Sequence, residues 1–365
     1  MSQLGGTGGT GGTGGTGGTG GTGGTGLGAF VPAEFVDSWT VDGVIGTAHA
    51  LLHVADSIQG SAHPPVSLDM AAPQNLAAYA SWVRASLYLT DFIKDFSWTN
   101  SDAGLGSARL EHGGVTIVEL IRPPIKLFQE QIALVRNYMD LRSERSTEIL
   151  SQLGFPTGYF TSILGLTAAR NPFTFELISA AQVLASHIAM GAKYHLACRR
   201  PDQVGPVMPM IQTPAHPTYP SAHAAEAFVV ATVLEGLLQA IAPTNHFSHA
   251  DALRLLTFKL AERIAENRVI AGVHYPIDSW AGATIGEAVG RLILRKCGVA
   301  AALHPAVFEA TNLDFSVAAF RPDLWPGGAQ SDAKLTRAPG PIEGPGESPL
   351  FAWLWQKSVA EFQTS

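Results

Sequence analysis

Charge is scarce in this chain. Of its 365 residues 15% are Asp, Glu, Lys or Arg against 46% apolar, and the formal net charge is −7. That balance excludes an open nucleic-acid-binding surface. Any anion site has to be a local basic pocket, which favours a small buried anion over a polymer. Cysteine is scarcer still. Cys198 and Cys297 stand far apart, which excludes a disulfide framework and a cysteine-rich zinc site and leaves two buried thiols as the plain reading. Long uncharged apolar runs are missing. Ala224 to Pro243 carries Glu226 and Glu235, and Ala281 to Leu294 is shorter and carries Glu287 and Arg291, whereas about 20 nearly uncharged residues are needed to cross a bilayer. Met1 to Leu4 offers neither a basic stretch nor an apolar core for a secretory signal. The expectation is a soluble, cytoplasmic protein with no membrane contact.

Strand alternation is also rare, and Val115 to Ile121 is the best candidate. Most of the chain has helical periodicity. Helices are expected over Asn75–Phe96, Ile125–Leu153, Thr174–Arg199, Ala222–Ile241, Ala250–Asn267 and Ile277–Cys297, the last stopped by Gly298. Long helices with short connectors predict an all-α fold, a helical bundle. Residues 5 to 25 are seven Gly-Gly-Thr repeats, a composition that buries nothing and loses maximal backbone entropy on ordering. The expected organisation is a disordered tail over 1–26 and one helical domain over 27–365. Within that domain, a Pro/Gly-rich stretch at 321–348 reads as irregular. Trp353 and Trp355 then form an apolar end able to dock on the bundle.

Three segments carry chemistry. Lys193 and Arg200 lie seven residues apart on one predicted helix, so both cations project from one face about 10 Å apart along the axis. Alone they read rather as an exposed basic surface stripe. His216-Pro217-Thr218-Tyr219-Pro220-Ser221-Ala222-His223 is a proline-stiffened loop entering a helix. A helix N-terminus presents free N–H groups and positive dipole to an anion. Ser221 serves there as N-cap and hydroxyl donor, and His223 in the first turn is placed to exchange a proton with a ligand oxygen. Arg268 ends a helix, His274 follows through Ala271-Gly272, and Asp278 comes four residues later. At that spacing the carboxylate takes the Nδ1 proton of His274, leaving Nε2 to attack phosphorus or bind a metal. A His–Asp pair that only pins two helices is the bland alternative. His49 and His53 have i, i+4 spacing without an intervening glutamate, so a packed or exposed pair is expected rather than a zinc site. His246 and His249 read as surroundings of a helix start.

The order K-x6-RP, PS-[AG]-H and R-x5-H-x3-D over residues 193–278 resembles the superfamily of type 2 phosphatidic acid phosphatases and vanadium-dependent haloperoxidases. The resemblance implies Lys193, Arg200, Ser221, the Ala222 amide and Arg268 as ligands of vanadate or phosphate. It further implies His223 as acid–base and His274 as the residue bonded to vanadium or phosphorus. Ala222 stands where the family has glycine, and a helical backbone there is expected to keep the amide donor. His216 in the form H-P-x-Y-P-S is similar to bromoperoxidases. Met190 replaces the aromatic of chloroperoxidases, so chloride is the least expected halide. The implied activity is oxidation of bromide or iodide by hydrogen peroxide with vanadate as cofactor. A soluble acid phosphatase working through a phosphohistidine at the same residues is the alternative, and a non-catalytic anion binder the third reading. By analogy with other helical members, self-association into a homo-oligomer is expected.

Overall fold

The computed structural model describes residues 68–242, 249–314, 334–338, 340–342 and 346–363. The Gly-Gly-Thr repeats, His49, His53, His246 and most of the 321–348 stretch lie outside the described residues. Among the described residues nine α-helices form: α1 Ser81–Ile93, α2 Ile125–Tyr138, α3 Arg142–Ser151, α4 Thr157–Ile163, α5 Pro172–Leu196, α6 Ala222–Ile241, α7 Ala250–Ile270, α8 Pro276–Lys296 and α9 Pro349–Ala360.

The expectation of an all-α fold is overturned by a five-stranded sheet of order β1-β2-β3-β4-β5. Its strands are β1 Phe96–Ser101, β2 Ser107–His112, β3 Val115–Ile121, β4 Ala306–Glu309 and β5 Lys334–Arg337. Only the β3–β4 pair is parallel. The strands are four to seven residues long and only partly buried, so their apolar alternation is weak. One local signal was present. Gly113-Gly114 takes φ +57° and +78°, and His112 pairs with Val115 across it. Two left-handed glycines between extended segments are the preferred two-residue hairpin turn. β5 also places part of the 321–348 stretch in regular structure, contrary to its expected irregularity.

Two predicted helices are broken. Asn75–Phe96 divides into a 3₁₀ turn at Pro73–Ala78 and α1. Ile125–Leu153 divides at a 3₁₀ turn, Met139–Leu141, into α2 and α3. α9 buries Trp353 and Trp355 as the sequence suggested, and both cysteines are buried.

The core is built around α6, which packs most extensively against α8 and then against α7 and α5. The α6–α8 approach depends on a glycine row in α8. A Cβ on Gly282 would meet the Ser221 carbonyl oxygen at 2.3 Å, and one on Gly286 would meet the Ala225 oxygen at 2.5 Å. No larger residue lets the backbones come so near, and this closeness sets the N-terminus of α6 beside Asp278. Two stretches, Pro172–Gln203 and Ala222–Ile241, are long and apolar enough to cross a membrane by length and composition; 72% and 89% of their most apolar windows are buried inside the protein. Their hydrophobicity is satisfied by neighbouring helices of the same chain.

Candidate active site

Lys193 sits in the last turn of α5 and is 1% exposed. Its Nζ donates to the carbonyls of Pro217 (2.8 Å) and Thr218 (2.7 Å). Burial, then the charge of Arg200, holds its pKa well below the usual lysine value. Arg200 is not on the same helix, contrary to expectation. Ala197 turns left-handed at φ +49° and ends α5, and Arg200 is extended at the start of a short 3₁₀ turn. Its guanidinium still reaches the same place. Nε donates to His216 O at 2.9 Å and Nη1 to Val273 O at 2.7 Å, with His274 Nε2 3.4 Å from Nη1. The third cation, Arg268, ends α7 and is fully buried. It donates to Gln152 O and Ile149 O, each at 3.2 Å, and its Nε has no hydrogen-bond partner. Burial lowers both arginines to about 10.

Ser221 caps α6, its oxygen accepting the Ala224 amide at 3.4 Å. Its own amide donates to the Asp278 carbonyl at 2.8 Å, tying the cap to α8. Ala222 is the first residue of α6 and does not take positive φ, so its amide points out of the helix start as a glycine amide would. His223 follows. Its Nε2 lies 2.9 Å from Gln152 O. A carbonyl only accepts, so Nε2 carries the proton and Nδ1 is the nitrogen left for chemistry. Burial, then Arg268, pushes His223 down to about 3.

His274 Nδ1 donates to Asp278 Oδ2 at 2.8 Å. The same oxygen accepts Thr218 Oγ1 at 2.5 Å and the Tyr275 amide at 3.0 Å. Burial pushes Asp278 up to about 6, and the Thr218 hydroxyl opposes that rise. Burial, then Arg200 and Lys193, keeps His274 well below its ordinary value. The ring is therefore neutral, with its proton on Nδ1 and its lone pair on Nε2. His216 is half-buried beside Arg200, Nδ1 to Nη2 3.1 Å, and burial lowers it to about 3.

All nine residues singled out in the sequence, Lys193, Arg200, His216, Ser221, Ala222, His223, Arg268, His274 and Asp278, thus meet at the α5 C-terminus, the α6 N-terminus and the α7–α8 corner. Three partners were not foreseen. Thr218 lies inside the loop that was read but had no distinguishing mark. Gln152, just past α3, acts through its backbone carbonyl, which no side-chain pattern reveals. Glu226, one turn after His223, was read only as a charge interrupting an apolar run. The result is three buried cations against two buried carboxyls, an orphaned N–H on Arg268, a helix N-terminus and an imidazole lone pair. That donor set fits a tetrahedral oxyanion, vanadate or phosphate.

Two comparisons with known proteins found a match. A family model described as the PAP2 superfamily matches residues 175–299. A vanadium-dependent bromoperoxidase of Ascophyllum nodosum is 32% identical over 94 residues, covering 21% of this chain and 17% of that protein. Residues 175–299 are a domain of the PAP2 superfamily, whose members are phosphatases or haloperoxidases.

Proposed function

We propose that this PAP2-superfamily protein is a vanadate-dependent haloperoxidase, oxidising bromide or iodide with hydrogen peroxide to a hypohalous species. The observation that carries the choice is His216. A neutral imidazole stands against Arg200 at the rim of the anion site, in an H-P-x-Y-P-S loop of the bromoperoxidase kind. The partial match to a vanadium-dependent bromoperoxidase supports the same reading. Burial of the two long apolar helices within the protein supports a catalyst that works in water rather than in a bilayer.

Lys193, Arg200, Arg268, the Ser221 hydroxyl and the Ala222 amide would hold the oxyanion oxygens, and His274 Nε2 alone would meet the vanadium. When bound, vanadate supplies the Lewis acid that activates peroxide toward halide. The chain's own residues do the rest. Asp278, braced by Thr218 and Tyr275, fixes the His274 tautomer and aims its lone pair. The three cations offset developing negative charge in a site without bulk water. His223 Nδ1 accepts the proton of the incoming peroxide and returns it to the departing oxygen.

A phosphomonoesterase is the second reading, favoured by the compactness of the site region. Among the described residues, only α6 and α7 separate His223 from Arg268. His274 Nε2 would then attack phosphorus while His223 protonates the leaving alcohol. The test is direct. The purified protein is loaded with orthovanadate and assayed for peroxide-dependent bromination and iodination, and the vanadate-free form is assayed on p-nitrophenyl phosphate. Halogenation that requires vanadate supports the proposal. Phosphate-ester hydrolysis without any such halogenation sinks it in favour of the phosphatase.

A further inference from the structure

Glu226 is fully buried in α6, one helical turn beyond His223. Burying a carboxyl is costly unless the group is neutral or paired. It is poorly paired. Neither carboxyl oxygen has a hydrogen-bond partner of ordinary geometry, although the Ser186 hydroxyl of α5 acts on it from nearby. Its closest ionisable neighbour is His223, with Oε2 3.9 Å from Nδ1. Lys193 faces it from α5 and Arg268 from α7. α8 packs against α6 through Gly282 and Gly286, which approach Ser221, Ala224, Ala225 and Phe228.

The geometry limits what His223 can do alone. Nε2–H is committed to the Gln152 carbonyl, so a proton can be gained or lost only at Nδ1. That atom faces the carboxyl of Glu226. The lone imidazole is also a weak base here, because burial first, and then Arg268, Lys193 and Arg200, oppose its cation. We propose that Glu226 holds, as a neutral carboxylic acid, the proton that His223 delivers at the anion site. Once the Glu226 carboxyl swings from its 3.9 Å separation to hydrogen-bond distance of Nδ1, its O–H bond breaks as Nδ1–H forms, giving carboxylate and imidazolium with no net change of charge. The carboxylate then swings back, the leaving oxygen takes its place before Nδ1, and Nδ1–H breaks as that oxygen is protonated. In the complementary half of the cycle Nδ1 takes a proton from the incoming water or peroxide and passes it back to Glu226, so the balance closes. Burial, pushing the Glu226 carboxyl up to about 7, is consistent with a resting acid. The inference rests on reading His223 as the acid–base group and on neither choice of anion. Glu226 is a positioning and proton-holding residue that acts through His223.

The competing role is a fixed counter-charge for Lys193 and Arg268. The two roles give different results in Glu226→Gln. Calorimetry in buffers of different ionisation enthalpy measures the protons taken up when orthovanadate or inorganic phosphate binds, between about pH 5 and pH 9. An arriving anion raises the proton affinity of Glu226, so the wild type takes up protons where that carboxyl titrates, and E226Q loses this uptake. In parallel, wild-type turnover should fall on the alkaline side as Glu226 loses its proton, and in E226Q that fall should disappear while turnover itself drops by roughly 10²–10⁴-fold, the usual worth of a proton-transfer group. Glu226→Asp keeps a carboxyl, so it retains an alkaline limb at a shifted pH. Should E226Q lose its helical circular dichroism, E226D carries the test. Tighter anion binding in E226Q with wild-type proton uptake and an unmoved limb means a counter-charge and overturns the proposal, as does a limb unmoved in E226D. His223→Ala separates this from failure of the parent reading. If H223A leaves both anion binding and turnover intact, His223 is not the acid–base group and both ideas fall. If H223A is inactive while E226Q and E226D keep the wild-type limb, only the role of Glu226 falls.

Discussion

Thr218→Val is the sharpest test of the His274–Asp278 arrangement. Valine matches threonine in shape and removes one donor, the Oγ1–H that reaches Asp278 Oδ2 at 2.5 Å in a fully buried setting. Two donors remain on that oxygen, His274 Nδ1 and the Tyr275 amide, so the carboxylate is weakened rather than orphaned. A hydrogen bond to a charged group is worth ~1.5–3 kcal/mol, and at about 1.36 kcal/mol per pKa unit that is roughly one to two units on Asp278. The hydroxyl is a lowering influence on this group, which burial has already pushed up to about 6. Its loss therefore moves the protonation of Asp278 upward, toward neutrality. Below that pH a protonated Asp278 no longer polarises His274, and anion affinity falls. The acid limb of orthovanadate affinity, followed by calorimetry, should shift to higher pH by about one unit or more in T218V, while affinity at pH 9 stays near wild type. Thr218→Ser retains the hydroxyl and should retain the wild-type limb. A T218V limb coincident with wild type would refute the assignment of Thr218 as the brace of the pair.

Other expectations follow from the same geometry. Gly282→Ala places a methyl 2.3 Å from Ser221 O and 2.8 Å from Ala224 Cβ; parting α6 from α8 should cost about 1–3 kcal/mol, read as a lower midpoint in denaturant and weaker orthovanadate binding. Orthovanadate or phosphate should raise Tm, since an anion that binds only the folded site adds about 2.7 kcal/mol at a hundredfold excess over Kd, and Arg268→Ala should abolish that rise. Glu226 has a raised folded pKa, about 7 against an ordinary 4.5, so its stabilising contribution is full below the unfolded value and is lost as pH rises through the folded one. The stability of wild type minus that of E226Q should therefore decline from about pH 4.5 to about pH 7, measured by urea unfolding; the opposite pH dependence of His216 and His223 cancels in that difference.

What could be read in the sequence was chemistry held by local geometry. Ser221 as a cap, Ala222 in helical backbone and His274 to Asp278 at i, i+4 each depend on a few adjacent residues, and the structure has each in place. The relation of Lys193 to Arg200 was misread because it depends on where a helix stops. Ala197 in a left-handed conformation ends α5, although nothing about alanine favours that backbone. The burial of β2 and β3 comes from α5 and α8, and partners distant in sequence leave little trace in strands of six or seven residues. That is why Val115–Ile121 was legible and its sheet was not.

The acid–base side of the site shows the limit most clearly. The PAP2 match begins at residue 175, yet the group that fixes His223 lies outside it. The Gln152 carbonyl accepts both His223 Nε2–H and Arg268 Nη1–H, and the Gln152 side chain accepts Asn267 and Arg268 as well. One residue past the end of α3 thus sets the tautomer of His223 and the pose of Arg268 together. Because the carbonyl belongs to the backbone, its position depends on how α3 docks, and Glu148 is central to that docking on α7, accepting from Arg263 and Asn267 beside the Arg145 contacts to Glu266 and Asn267. A remote change at Glu148 is therefore coupled to the site through α3, whereas a side-chain change at Gln152 leaves the carbonyl in place. Glu148→Ala should weaken orthovanadate binding more than Gln152→Leu does, although Glu148 itself has no part in the anion site. The reverse order would mean that the side chain of Gln152, and not the placement of α3, holds Arg268 and His223.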